Sequence, residues 1–219
     1  MARRLVVPLL AAAVFAGSAL AGANDPRKHY NAADQAWARA IRIHRSDLPG
    51  GGWRSHRSSD DSDYAPKGCK NPDLSDLVET GEASNPDFTR GGSFVGSGSS
   101  VFVSERHATA AWTRTSRIPL ARCLVGALRD GLGSGAAKLN VRSTRSVRLG
   151  LAPYELGHRV SFRVSGPAMT VDGRISYYAF ARGRAIGAVM VVSFGKPLQP
   201  VPVALEQKLA ALVAGRLRR

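Results

Sequence analysis

The chain has 219 residues, 44% of them hydrophobic, and its 31 Lys and Arg against 16 Asp and Glu leave a net charge of +15. That length suits one domain with a substantial core, and two cysteines without a neighbouring histidine exclude both a disulfide-dense scaffold and a closed zinc site. Arginine supplies 25 of the basic residues; because richness in Arg, Ala and Gly is also what a GC-rich genome produces, the charge alone does not mark a nucleic-acid binder.

The chain opens as an export signal. Arg3 and Arg4 form a positive start, residues 5–16 an apolar stretch, and residues 17–23 a small-residue cleavage region ending in Ala21-Gly22-Ala23. That order predicts a signal peptide over residues 1–23, cut after Ala21 or Ala23. Pro8, Gly17 and Ser18 keep the run short of the roughly 20 apolar residues that a membrane span needs. No cysteine stands there to carry a lipid, and no later segment reads as a transmembrane span. Residues 24–219 are then one extracytoplasmic domain, secreted or held in the cell envelope. In that oxidising setting Cys69 and Cys123 pair as one disulfide. It closes a loop of roughly 55 residues, for which the chain-entropy model gives about 4 kcal/mol.

Asn31 caps a helix whose apolar positions Ala33, Trp37, Ala40 and Ile41 recur at helical spacing. Asp47-Leu48-Pro49-Gly50-Gly51-Gly52 ends it. Residues 53–92 carry Gly, Pro, Asn, Asp and Ser without periodicity and read as an irregular loop pinned at Cys69. Residues 93–104 read as a hairpin turning at Gly96-Ser97-Gly98-Ser99. A helix over 107–115 presents Ala108, Ala111 and Trp112. A second, opening at Pro119, presents Leu120, Cys123, Leu124, Ala127 and Leu128. Four strands follow at 139–149, 158–165, 170–180 and 185–194, and their short links make neighbours antiparallel. The last is apolar on both faces, as a central strand should be. Residues 203–217 close the chain as an amphipathic helix. The order predicts an α+β fold, an antiparallel sheet of five to six strands packed with helices as an α/β sandwich with one disulfide.

The motifs of common enzymes are missing. No serine has the Gly-x-Ser-x-Gly flanks of an α/β hydrolase, the five histidines stand at no metal-ligand spacing, and Gly131-x-Gly133-x-Gly135 follows a helix where a dinucleotide loop must follow a strand. Asp60-Asp61-Ser62-Asp63 lacks the Gly and Glu of a calcium loop. The pairs Asp73/Asp76 and Glu79/Glu82 sit on a segment whose spacing fixes no distance. No cofactor or metal is expected.

Charge is unevenly spread: residues 60–87 carry a net −6 and residues 88–219 a net +15. Alternation sets Arg142, Arg148, Arg159, Arg163 and Arg174, with Tyr178, on the polar faces of successive strands. If register aligns them they form a positive surface for an anionic envelope polymer, a glycan or a lipid head group. The other reading is a solvated or covered sheet face with arginines guarding an edge.

Asp47-Leu48-Pro49 running into Gly52-Trp53, Ala110-Ala111-Trp112 on one helix and Cys123-Leu124 on the next, followed by a meander and a final amphipathic helix, resemble secreted actinobacterial sensor-like domains. These are similar to the extracytoplasmic sensor domains of actinobacterial serine/threonine kinases and to PsbP-like α/β/α sandwich proteins. The resemblance implies a binding or sensor-like role and carries over no individual residue. The sequence points to an exported non-enzymatic binding domain for an anionic ligand. The alternatives are a cell-wall hydrolase using carboxylates of residues 60–87 and a protein-interaction domain with no small ligand.

Overall fold

The computed structural model describes residues 24–57, 69–84, 86–132, 137–167, 170–195 and 201–218. The expected signal peptide and the acidic run at 60–63 lie outside them. Nine strands, β1 (Arg27–Lys28), β2 (Arg54–His56), β3 (Val78–Ala83), β4 (Asp87–Arg90), β5 (Ser93–Phe102), β6 (Lys138–Ser146), β7 (Tyr154–Ser165), β8 (Thr170–Arg182) and β9 (Ala185–Gly195), join in one sheet. Its main path runs β1-β3-β5-β9-β8-β7-β6, with β4 beside the start of β5 and β2 outside β4. Among the described residues only the β1–β3 pairing is parallel. Four α-helices, α1 (Ala32–Ile41), α2 (Glu105–Thr115), α3 (Leu120–Gly131) and α4 (Val203–Arg216), complete the described fold.

The sheet is sandwiched. On one face α1 and α4 press Ala38, Ile41, Leu209 and Val213 against Val95, Val101, Tyr178, Phe180, Val189 and Val191. On the other, α3 sets Leu124 and Leu128 over Phe94, Val160, Phe162, Ile175, Met190 and Val192, while α2 brings Ala108 and Ala111 to Phe102 and Trp112 to Ala179 and Ala181. The meander β6–β9 and the central place of β9 match the alternation read from sequence. Asn31 is the N-cap of α1, its side chain accepting from the Asp34 amide at 2.9 Å. Cys69 is bonded to Cys123 of α3. No helix among the described residues is long and apolar enough to cross a membrane.

Three expectations are corrected. The sheet exceeds five to six strands because β2, β3 and β4 fall within 53–92, a stretch that reads as loop; each is short, and β2 is exposed, so alternation has little room to register. The segment 93–104 is no hairpin: Gly96 to Ser99 run straight through β5, paired with Met190 to Gly187 of β9. Small residues serve there as contact surface. Ser97 Oγ accepts from the Ile43 amide at 2.8 Å and Ser99 Oγ donates to the Ala38 carbonyl at 2.7 Å, so α1 and the turn after it lie directly on the strand. Finally, the arginine-bearing face is not an outer face along its whole length, because α4 covers part of it.

Candidate functional site

On β7 and β8 the pairs Arg159↔Ser176, Ser161↔Arg174 and Arg163↔Asp172 place these side chains on the face that α1 and α4 cover. Helix α4 lies over β8 and β9 and delivers Glu206, which is 1% exposed, onto the row. Arg159 Nη2 donates to Glu206 Oε2 at 2.7 Å and to the Tyr178 hydroxyl at 2.9 Å, and Arg159 Nε donates to Ser176 Oγ at 3.0 Å. Ser176 Oγ donates to Glu206 Oε2 at 2.8 Å, and Arg174 Nη2 donates to Glu206 Oε1 and to the Val201 carbonyl. Burial pushes the Tyr178 hydroxyl above its ordinary pKa. Arg159, Arg174 and Tyr178 thus come together as a closed network that ties α4 to the sheet. A buried carboxylate that receives two guanidiniums and a hydroxyl satisfies most of its hydrogen-bonding capacity inside the protein.

Beyond the edge of α4 the same face is open. Arg163 forks onto Asp172 through Nε and Nη2 at 2.8 and 2.9 Å, and Arg142 Nη2 lies 3.7 Å from the same carboxylate. These pairs keep the Asp172 carboxyl below the usual range. Arg163 remains 39% and Arg142 49% exposed. The register of β6 on β7 shifts between Val141 and Ser143, a bulge that moves the even-numbered face to the odd-numbered one. Arg145 therefore stands opposite Arg159 and on the same face of the sheet, but on the edge strand, where it is exposed. Arg148 leaves the row. Its neighbours Val147 and Leu149 pack toward the α1–α4 core, and Arg148 projects between them into solvent. The six residues expected to line one surface are thus divided: Arg159, Arg174 and Tyr178 under α4, Arg142 and Arg163 in the open with Arg145, and Arg148 apart. Simple alternation without the bulge could not have found Arg145.

A second bulge, between Glu79 and Gly81 of β3, brings two acids together. Thr80 points toward α1, where its hydroxyl donates to Asp34 Oδ2 at 2.7 Å. Gly81 also faces α1: a Cβ there would sit 2.3 Å from the Asp34 carbonyl oxygen. Glu79 and Glu82 are left on the opposite side, three residues apart in a strand yet sharing a face. The Tyr30 hydroxyl donates to Glu82 and lies 3.4 Å from Glu79, and Lys28 Nζ sits 2.9 Å from Glu82. Burial, then the charge of Glu82, raises the Glu79 carboxyl to about 8, so it holds its proton at neutral pH. Burial and the same two acids push the Tyr30 hydroxyl upward as well.

The other acids and histidines are placed differently. Asp76 is exposed and salt-bridged to Arg114, and the Asp73 carboxylate accepts from the amide and hydroxyl of Ser75. His107 Nδ1 accepts the Val78 amide at 2.9 Å, which fastens α2 to β3. His56 Nε2 lies 2.7 Å from Thr89 Oγ1. Among the described residues no three His, Cys, Asp or Glu side chains converge as a metal site.

Comparison with protein-family models and with curated proteins gives no match. Among solved structures the chain is similar to the extracellular domain of PknH from Mycobacterium tuberculosis, at a TM-score of 0.46 and 10% identity, over 84% of this chain and 97% of that one. A likeness of that size bears on neither ligand nor activity.

Proposed function

We propose that this chain is an exported, non-enzymatic binding domain of sensor-like build that holds an anionic component of the cell envelope on the open basic strip of β6 and β7. The observation that carries the reading is the strip itself, where Arg142 and Arg163 flank one carboxylate, Asp172, and Arg145 stands exposed further along β6. Guanidiniums on a flat, extended surface suit a repeating carboxylated or phosphorylated glycan. Each presents a planar fork that matches those groups, and a strand face matches a chain better than it matches a compact molecule. The disulfide fits an oxidising, extracytoplasmic setting.

Immobilised polygalacturonate, a carboxylated glycan, with neutral dextran as control, tests this. The domain is expected to be retained on polygalacturonate alone and released at about 0.5 M salt, where the screening length falls to only a few ångströms. The triple substitution Arg142→Gln, Arg145→Gln and Arg163→Gln should weaken retention at least tenfold with little change in thermal stability, since exposed ion pairs contribute only about 0–1 kcal/mol. Arg159 is left intact in that variant because its loss would act on folding. Equal retention of the triple variant and the parent would dismiss the strip as the site.

A further inference from the structure

The helical cover of the sheet has a gap between α2 and α3. Strand pairing sets Gly98, Ala188, Ala179 and Leu156 in one row across β5, β9, β8 and β7, on the face that these two helices cover. Trp112 of α2 lies on Ala179 and Ala181, and Leu124 and Leu128 of α3 pack in the cluster of Ile175 and Met190. Between those contacts the described residues leave the row open. Ala188 belongs to the central strand yet is only half-buried, as are its cross-strand partner Gly98 and its neighbour Ile186. On the opposite face of the same strands Val189, Val191, Tyr178 and Phe180 are sealed beneath α1 and α4. Among the described residues a Cβ on Gly98 would meet nothing nearer than the Ala83 carbonyl oxygen, at 3.7 Å. Two small residues in mid-sheet thus leave a flat floor that larger side chains would have filled.

Tyr177 stands one row nearer α3, paired with Met190 and with His158. It packs against both the α3 cluster and the Trp112 cluster, so its side chain spans the space between the two helices. It is diagonal to Ala188, a separation of roughly 7–8 Å that an aromatic side chain reaches across. The Tyr177 hydroxyl makes no hydrogen bond among the described residues and is not sealed from solvent. Burial alone raises it to about 12, so it keeps its proton and donates. Burial also lowers the pKa of His158, which leaves that imidazole neutral at pH 7. Neither row holds a guanidinium or an ammonium. The next position of β5 on this face, Ser100, pairs with Glu82, whose carboxylate is held by Lys28 and Tyr30. An anion on the floor would therefore lie beside a carboxylate without a cation of its own.

We infer that this gap is a binding site for a neutral molecule with a flat, fused-ring body and a carbonyl group, the ring lying on Gly98 and Ala188 and the carbonyl accepting from the Tyr177 hydroxyl. Glycine and alanine let a ring face approach to van der Waals contact, and the apolar area it covers drives the binding. A single placed donor beside an apolar floor then fixes the orientation. The site shares no residue with the strip on β6 and β7 and stands or falls apart from it.

The probe is 2-acetylnaphthalene, with 2-ethylnaphthalene as the same body without an acceptor and 2-naphthoate as a charged counterpart. The methyl resonance of Ala188 serves as readout by two-dimensional NMR, because a ring stacked on it shifts it. 2-Acetylnaphthalene is expected to shift it saturably. 2-Ethylnaphthalene should bind roughly 3- to 10-fold more weakly, the worth of one hydrogen bond, and 2-naphthoate about tenfold or more weakly, as a charge without a partner. Tyr177→Phe should bring 2-acetylnaphthalene down to the level of 2-ethylnaphthalene and leave the latter unchanged. Gly98→Val fills the floor and should abolish binding of both, while valine suits a strand and its Cβ has room. The β6–β7 triple variant should bind as the parent does. Tyr177→Phe keeps the ring, so it reports on the hydrogen bond even if Gly98→Val disturbs the sheet. No saturable shift, unchanged affinity of 2-acetylnaphthalene in Tyr177→Phe, undiminished binding in a folded Gly98→Val, or 2-naphthoate binding as tightly as 2-acetylnaphthalene would each overturn the assignment.

Discussion

Replacing Glu206 with Ala is expected to destabilise the domain by about 3–5 kcal/mol, the usual cost of leaving buried charges without their partner. Arg159 is 7% and Arg174 13% exposed, so neither reaches water freely when the carboxylate is gone. Ser176 would lose its acceptor as well, and α4 would lose its polar anchor to β7 and β8. For a domain of this size the loss corresponds to a fall in Tm of roughly 6–20 °C. Urea unfolding at neutral pH measures it directly. A variant in which Glu206, Arg159 and Arg174 are all exchanged for apolar residues of similar volume should recover most of the loss, since a buried ion network contributes little net stability over well-packed apolar groups. A Glu206→Ala loss below about 1 kcal/mol would mean that water enters beneath α4 and that the network is not closed.

Glu79→Gln acts in the opposite direction. In the fold the Glu79 carboxyl is raised to about 8 from its ordinary 4.5, first by burial and then by Glu82. The folded state therefore keeps a proton that the unfolded chain releases. Stability falls as pH climbs from about 4.5 to about 8 and levels off above that, because over that window the unfolded state binds fewer protons. Each tenfold change in proton affinity is worth about 1.4 kcal/mol, which makes the total on the order of 3–5 kcal/mol. Glutamine keeps the shape and removes the titration. The variant should be more stable than the parent by a few kcal/mol at pH 8 and nearly equal to it at pH 4.5. Urea midpoints of both proteins across that range check the difference, in which Lys28, Tyr30 and Glu82 remain common to both. A parallel pH dependence in the two would show that Glu79 is not the group that holds the proton.

How much of the fold is legible in the sequence depends on whether a feature is local. The strands β7, β8 and β9 announce themselves through Val160-x-Phe162-x-Val164 and the apolar run of β9, because each buries a face for ten residues or more. The disulfide follows from a count of two. The middle of β5 reads as a turn because glycine and serine usually mean one, whereas here their small size admits α1. The two bulges have no signature in a single sequence, and both matter: one replaces Arg148 with Arg145 in the basic row, and the other sets Glu79 beside Glu82. Glu206 could have been found. Residues 88–219 contain only five acids, and Glu206 stands on the stripe of α4 that carries Leu209, Ala210 and Val213, where only a buried cation on the sheet could match it.

Closed and open arginines on one face also explain why a basic composition says so little here. Arg159, Arg174 and Arg184 are spent on Glu206 and Asp34 and hold helices to the sheet, and Arg216 is spent on Asp47, which ties α4 to the turn after α1. Only the charges left over are available to a ligand, and Arg142, Arg145 and Arg163 on β6 and β7 are among them.

The most direct measurement is a map of amide chemical shifts in the labelled domain as a short oligogalacturonate is added at low salt. Changes centred on residues 142–146 and 161–163, fading as salt is raised, are the predicted result. Changes centred on another surface, or none at all, would contradict an anionic glycan site on that strip.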